Sequence, residues 1–345
     1  MTRNLPGMNV ARLRDYMLRS SILVAGELVV SLINGGRSNL TYLVSDETSR
    51  WVVRRAPTAG LTPSAHDMVR EWKVTSALQL SEVPVPSTVA LCEDPSVLGA
   101  SFTIVDYVVG RVVRDRADLE QLSDDEVERS TKALVRTLVD LHAVDIREAG
   151  LQNFGRSKGF LERQVSLWRR QWDQVKTREL PDVERLHEKL VNQLPKTSEA
   201  AVIHGDYRID NTILDYDDAG VIRAVVDWEL STVGDPLTDA ALMCVYRQSA
   251  FDQILGQSAA WTSGRLPSAD GLAEEYARLS NRDLADWPFY LALANFKLGV
   301  IGEGITHRSR SGFSAGASAD GAAEVTPDFM AAGLRALAGR KPAAF

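Results

Sequence analysis

Cysteine is scarce: the 345 residues include two, Cys92 and Cys244. They lie far apart, and neither has a metal-ligand neighbour at zinc-like spacing, so no zinc site of the finger or ribbon type is expected. A cytosolic chain would keep both reduced. No run approaches the ~20 consecutive apolar residues that a membrane helix needs. The opening stretch, MTRNLPGMNVARLRDYMLRSS, has no apolar core of the kind that a secretion signal carries, so a cytoplasmic location is expected. A basic excess is missing too. The net charge of −7 argues against a general nucleic-acid binder, and no membrane partner is implied. Internal repeats are absent. The composition, 45% hydrophobic and 25% charged, is that of a soluble chain long enough for two lobes.

Residues 1–28 read as helical and peripheral. Through 30–55, VVSLI, LTYLV and WVVRR read as strands, with NGGRSN and SDETSR between them. The two glycines of NGGRSN mark a tight hairpin. A helix follows over AHDMVREWKVTSALQL, with Met68, Val69, Trp72 and Ala77 on one buried face. PVPSTVAL and SFTIVDYVVG read as further strands. A long helix then begins at a capping box, Ser123 with Glu126, and carries Leu134, Leu138 and Leu141 at helical spacing. Residues 157–178 form another helix, rich in Trp and Arg. AAVIHGD, NTILDY and IRAVVDW are short strands, and the pattern is mostly helical from Thr238 onward. Residues 308–324 are poor in apolar side chains and are expected to be mobile.

The chemistry concentrates in VIHGDYRIDNTILDY, residues 202–216. Asp206 and Asn211 stand five residues apart between two strand-like runs, and Asp227 ends the next strand sixteen residues later. Oxygen ligands of this kind suit Mg²⁺, which takes one or two carboxylates and completes its shell with substrate phosphates. A remaining carboxylate can accept a hydroxyl proton. One Asp as base, with one Asn and one Asp on metal, is the phosphoryl-transfer arrangement.

Upstream, the glycines of NGGRSNLTYLV let backbone approach phosphates. Arg54 or Arg55 lies on the strand that follows. Glu71, seventeen residues beyond Arg54, could pair with that cation. IVDYVVG reads as the bridge between lobes.

These motifs resemble the aminoglycoside phosphotransferase family, which has the protein-kinase-like fold. HGDYRIDN and VVDWELSTVGDPLTD are its most specific marks, and the resemblance covers roughly residues 30–310. GFLERQVSLWRRQW and FYLALANFKLGVIGEGITHR resemble the branch that occurs fused to acyl-CoA dehydrogenases in animals and alone in bacteria. No dehydrogenase segment is expected in a chain of this length.

The resemblance implies an α+β, two-lobe molecule. It has a β-rich N-lobe over 1–105, a hinge over 106–110 and a mainly helical C-lobe over 111–345. It implies ATP and Mg²⁺ as cofactors and a small-molecule acceptor, with the oligomeric state open between monomer and homodimer. Asp206 would be the catalytic base, and Asn211 and Asp227 the metal ligands. Arg208 would lie near the transferring phosphoryl group, or would form a salt bridge to Asp210 or Glu229 instead. Gly35, Gly36, Ser38, Asn39, Arg54, Glu71, Asp106, Tyr107 and Val108 would hold the nucleotide. Asp235 and Asp239 would brace the loop and cap a helix, and His204 and His142 would be structural.

Two departures from the kinase pattern stand out. Arg replaces the usual phosphate-binding Lys, and Asp-Trp-Glu replaces Asp-Phe-Gly, which implies a less mobile loop. Glu229, Arg163, Trp168 and Arg247 are candidate acceptor contacts. Residues 156–178 are net basic, unlike a pocket for a polycationic aminoglycoside, so an anionic or CoA-linked hydroxyl compound is the expected acceptor. An ordinary solvated helix face is the alternative for those basic residues. An aminoglycoside 3'-type phosphotransferase and a non-catalytic nucleotide-binding protein are the competing functional readings.

Overall fold

A computed structural model of the protein describes residues 5–33, 39–56, 67–311 and 321–339. Alternating apolar residues early in the chain build β1 (Val29–Leu32), β2 (Leu40–Ser45) and β3 (Arg50–Arg55). With β4 (Thr88–Cys92) and β5 (Phe102–Asp106) they form an antiparallel sheet in the order β1-β2-β3-β5-β4. The register sets Arg54 opposite Thr103 and Arg55 opposite Phe102.

Three helices accompany the sheet: α1 (Val10–Arg19), α2 (Met68–Leu78) and α3 (Pro95–Leu98). The expected peripheral helix is shorter than 1–28 and belongs to the core. Leu13 and Met17 of α1 are buried with Tyr42, Val53 and Phe102 of the sheet. The expected buried face of α2 is also corrected. Val69 is exposed, and Met68, Glu71, Val74, Thr75 and Leu78 point inward, because the helix packs on both lobes.

After β5 the chain passes β7 at close range. Arg111 N–H donates to the Leu214 carbonyl (2.7 Å), and Leu214 N–H returns a bond to Arg111 (2.8 Å). A Cβ on Gly110 would stand 2.4 Å from that same carbonyl oxygen, so only glycine fits the crossing. Helices α4 (Arg116–Glu120), α5 (Asp124–Ala143), α6 (Phe160–Val175) and α7 (Pro181–Asn192) follow. Ser123 and Glu126 form the expected capping box on α5, and Leu134, Leu138 and Leu141 are buried.

Two short two-stranded sheets carry the centre of the molecule. β6 (Ala201–Ile203) pairs with β9 (Thr232–Gly234), and β7 (Thr212–Leu214) with β8 (Ile222–Val225). Then come α8 (Pro236–Val245), α9 (Ala250–Leu255), α10 (Ala269–Ser280), α11 (Trp287–Arg310) and α12 (Thr326–Leu337). The apolar length of α11 lies against α6, α8 and α12.

Part of the 308–324 stretch is ordered: Ala322 and Ala323 are buried, and Ala323 N–H donates to Thr306 Oγ1 (3.0 Å). Residues 312–320 lie outside the described residues. Among the described residues, no helix is long and apolar enough to cross a membrane.

Candidate active site

The pairing of β6 with β9 brings the segment after β6, His204–Asp206, beside the segment before β9, Asp227–Ser231. Gly205 makes the approach possible. Its φ is +85°, and a Cβ there would stand 2.7 Å from the Leu230 carbonyl oxygen. The β7–β8 hairpin brings Asn211 to Asp227 from the other side, with Val226 N–H donating to the Asn211 carbonyl (2.9 Å). Asp227 itself is left-handed (φ 69°, ψ 58°), a conformation that carries strain in a residue with a Cβ.

His204 is fully buried, and both of its ring nitrogens are engaged. Nε2 donates to the Val226 carbonyl (3.0 Å), and Nδ1 accepts from Asp206 N–H (3.2 Å). Asp239 accepts from the His204 and Gly205 amides at 2.5 and 2.8 Å. Asp235 caps α8 through Leu237 N–H (3.0 Å). His142 sits in the core between Tyr276 (2.7 Å) and Asp239 (3.5 Å).

The Asp206 carboxylate is surrounded by donors. Arg208 Nε reaches it at 3.1 Å, Tyr246 OH at 2.5 Å and Asn211 Nδ2 at 3.1 Å. Burial pushes its pKa up, but Arg208, Tyr246 and His204 outweigh that and hold it below the usual carboxylate value. Asn211 Nδ2 also donates to the Asp206 carbonyl (2.8 Å), which turns the amide oxygen of Asn211 away from Asp206. Arg208 spends its guanidinium on Asp206 and Asp210, so it forms a salt bridge rather than presenting a free cation. Burial raises the Asp210 pKa to about 6, with Arg208 opposing.

Alternation along β3 separates the two arginines. Arg54 faces the site, pairing with Glu71 Oε1 (3.1 Å) and Asp227 Oδ1 (2.7 Å). Burial opposes its charge, but Glu71 and Asp227 more than compensate, and its pKa lies above the usual arginine value. Arg55 faces the opposite side of the sheet, buried, and donates to the carbonyls of Ala56, Gly7 and Leu98. In the hinge, the amides of Asp106 and Tyr107 are already bonded to Ser87 and Arg50. Among the described residues, the Val108 amide has no hydrogen-bond partner. Gly35, Gly36 and Ser38 lie outside the described residues, whereas Asn39 Nδ2 donates to Glu229 (2.9 Å).

The candidate acceptor contacts do not converge. Glu229 faces Asn39 on the N-lobe side. Arg163 folds onto the carbonyls of Arg156 and Lys158. Arg247 is consumed by four carbonyls, those of Pro267, Trp261, Ser263 and Leu266. Trp168 lies with its ring 5.6 Å from Lys297 Nζ. Most of the basic side chains of 156–178 are likewise occupied. Arg169 pairs with Asp173 and Glu184, Lys176 with Glu179, and Arg178 with Glu303.

Two neighbours of Asp206 escaped the sequence reading. Tyr246 follows α8, and Lys297 lies mid-way along α11 with its Nζ 2.9 Å from the Gly205 carbonyl. Neither belongs to a local motif, and both approach from distant parts of the chain.

The donors present suit a magnesium–phosphate group. Among the described residues, buried Arg54 Nε and Glu71 Oε2 have no hydrogen-bond partner, and the amide oxygen of Asn211 faces away from Asp206. Among the described residues no three His, Cys, Asp or Glu side chains form a metal cluster, so phosphate oxygens and water would have to complete the shell.

A two-lobed molecule with an Asp, an Asn and a second Asp where its two short sheets meet is a kinase-like phosphotransferase in architecture. The chain belongs to the phosphotransferase enzyme family (APH), whose model matches residues 29–290. It is similar to acyl-CoA dehydrogenase family member 11 of Gallus gallus, 38% identical over 82% of this chain and 37% of that protein. Against acyl-CoA dehydrogenase family member 10 of Mus musculus it is 33% identical, over 87% of this chain and 28% of that one. The chain therefore spans about a third of the length of these curated relatives. Among solved structures, it resembles a Ralstonia eutropha JMP134 protein classed with the aminoglycoside phosphotransferases. The TM-score is 0.82, with 28% identity over 97% of this chain and 99% of that one. The ternary complex of aminoglycoside phosphotransferase APH(4)-Ia with AMP-PNP and hygromycin B shares the fold, at TM-score 0.63 and 16% identity over 94% and 98% of the two chains.

Proposed function

We propose that the protein transfers the γ-phosphate of ATP to the hydroxyl of a small molecule, with Asp206 as the base and Asn211 and Asp227 as the metal ligands. The observation that carries this reading is the arrangement around Asp206. Asn211 turns its amide N–H toward the base and its oxygen away from it, and its backbone carbonyl accepts from Val226 N–H, next to Asp227. One aspartate is thereby reserved for a proton, and an amide and a second aspartate for a cation. Bound Mg²⁺ would offset charge on the phosphate oxygens. Arg54 would contact those phosphates, held in place by Glu71. The Val108 amide would bond the base of the nucleotide.

Arg208 would act as a positioning residue. Its grip on Asp206 keeps that carboxylate ionised and aimed. Asp206 would then accept the proton of the acceptor hydroxyl as the oxygen attacks phosphorus. A hydroxylated acyl-CoA, or another anionic alcohol, is the proposed acceptor. Similarity to the acyl-CoA dehydrogenase family members supports it.

The test is Asp206→Asn. ATP–Mg²⁺ binding should stay within a few-fold of the parent, while turnover across a panel of hydroxyacyl-CoAs and aminoglycosides falls by about 10²–10⁴-fold, the usual contribution of a general base. A variant with full turnover overturns the assignment. Turnover with an aminoglycoside alone would overturn the acyl acceptor.

A further inference from the structure

Lys297 is placed to do more than support the loop. Its ammonium has three N–H donors. Among the described residues its one hydrogen-bond partner is the Gly205 carbonyl, 2.9 Å away, one residue before Asp206. The Trp168 ring lies along one side at 5.6 Å. The side chain is half-buried, and burial pushes its pKa down, with Asp206 and Asp239 opposing.

The surroundings of Asp206 are divided. Asn211, Asp227 and Arg54 line the side toward the N-lobe, where the phosphates would lie. Tyr246, after α8, donates to the other carboxylate oxygen, Oδ1, and Lys297, from the middle of α11, reaches the Gly205 carbonyl one residue earlier. An acceptor hydroxyl that reaches Asp206 in line with the phosphates must enter on the side of Tyr246 and Lys297. It meets there an ammonium with two uncommitted donors beside an aromatic wall.

We propose that Lys297 recognises the acceptor by donating to a carbonyl or carboxylate oxygen near the reacting hydroxyl, and that it repels polyammonium acceptors. The proposal rests on the reading of Asp206 as the base, and it names the substrate class of that same site. A fixed cation next to the base favours hydroxyacyl thioesters and hydroxy acids over plain alcohols. It disfavours aminoglycosides, which would bring further positive charge to it.

The experiment compares the parent protein with Lys297→Met and Lys297→Arg; Lys297→Gln replaces the first if it is not recovered folded. The acceptors are hydroxyacyl-CoAs with the hydroxyl at carbon 3, 4 or 5, the matching hydroxy acids, the matching diols, and hygromycin B. The parent should prefer the carbonyl-bearing compounds. Lys297→Met should shrink that preference over the diols by about tenfold or more, chiefly through acceptor KM, and Lys297→Arg should keep most of it.

Butyryl-CoA, which has no hydroxyl to phosphorylate, gives a readout that needs no transfer. Its binding, measured by calorimetry without ATP, should weaken by a similar factor in Lys297→Met. The proposal is overturned if Lys297→Met binds butyryl-CoA as the parent does, if it slows acyl and diol acceptors alike, or if the parent binds no acyl compound. Failure of the base assignment looks different. Asp206→Asn would then retain turnover while butyryl-CoA binding still depended on Lys297.

Discussion

Arg54 and Arg55 are chemically identical neighbours with opposite tasks. The strand pleat sends one guanidinium to Glu71 and Asp227 and the other into the N-lobe core. Their variants should therefore separate. Arg55→Ala leaves the carbonyls of Gly7 and Leu98 buried without donors, and unfolding should become easier by about 2–4 kcal/mol, with nucleotide affinity little changed in the folded protein. Arg54→Lys keeps the charge but cannot fork to two carboxylates at once, so ATP–Mg²⁺ affinity should fall about tenfold with little loss of stability. Thermal unfolding and nucleotide calorimetry on the two variants check both statements. If Arg55→Ala, not Arg54→Lys, were the variant that lost nucleotide binding, the assigned faces of β3 would be wrong.

At the scale of elements, α8 organises the loop that carries Asp206. It carries Asp239 under the loop amides and ends at Tyr246 against Asp206. His142 of α5 backs Asp239 from below. Burial pushes the His142 pKa below the ordinary value of about 6.5, with Asp239 opposing. As pH falls through that ordinary value, the unfolded chain takes up a proton that the folded protein resists. The contribution of His142 to stability is therefore complete above about pH 6.5 and is lost progressively below it. Calorimetric melting from pH 7.5 to 5.5 should show the parent losing stability faster than His142→Gln, since other groups titrate in both. Parallel profiles would remove His142 from that role. The α6 helix teaches a different lesson. Its positive charge is largely spent on local carboxylates and carbonyls, and its contribution to the site is the Trp168 ring.

At the scale of the molecule, the described residues form two separate apolar cores. Cys92 lies in the core of the sheet and Cys244 in the helical core. The division does not follow the strands and helices. Val74 and Leu78 of α2 pack into the helical core, and Arg70 of the same helix donates to the carbonyls of Ser231 and Phe154. Glu71 is thus carried on a helix anchored to the lower lobe, while Arg54 is carried on the upper sheet. Their ion pair spans the two. Burial raises the pKa of both thiols, which makes them poor nucleophiles. Iodoacetamide should label neither cysteine appreciably in the native protein, and both once denaturant unfolds it. Rapid native labelling of Cys92 would show that the sheet core opens without global unfolding.

Much was legible in the chain itself, because it depends on local spacing. The Asp206–Asn211 interval, the strand-end Asp227 and the capping box on α5 all follow from short-range periodicity and motif geometry. The sequence alone also carried the family and the two-lobed fold. It left open which of Arg54 and Arg55 faces the nucleotide, since a strand's two faces acquire meaning only when one is covered. It could not show that Arg163 and Arg247 are consumed by backbone carbonyls, because those carbonyls become acceptors only once their loops are folded. Tyr246 and Lys297 reach Asp206 from 40 and 91 residues away along the chain. Only the packing of α8 and α11 against the Asp206 loop brings them there, through long-range apolar burial that no local pattern encodes.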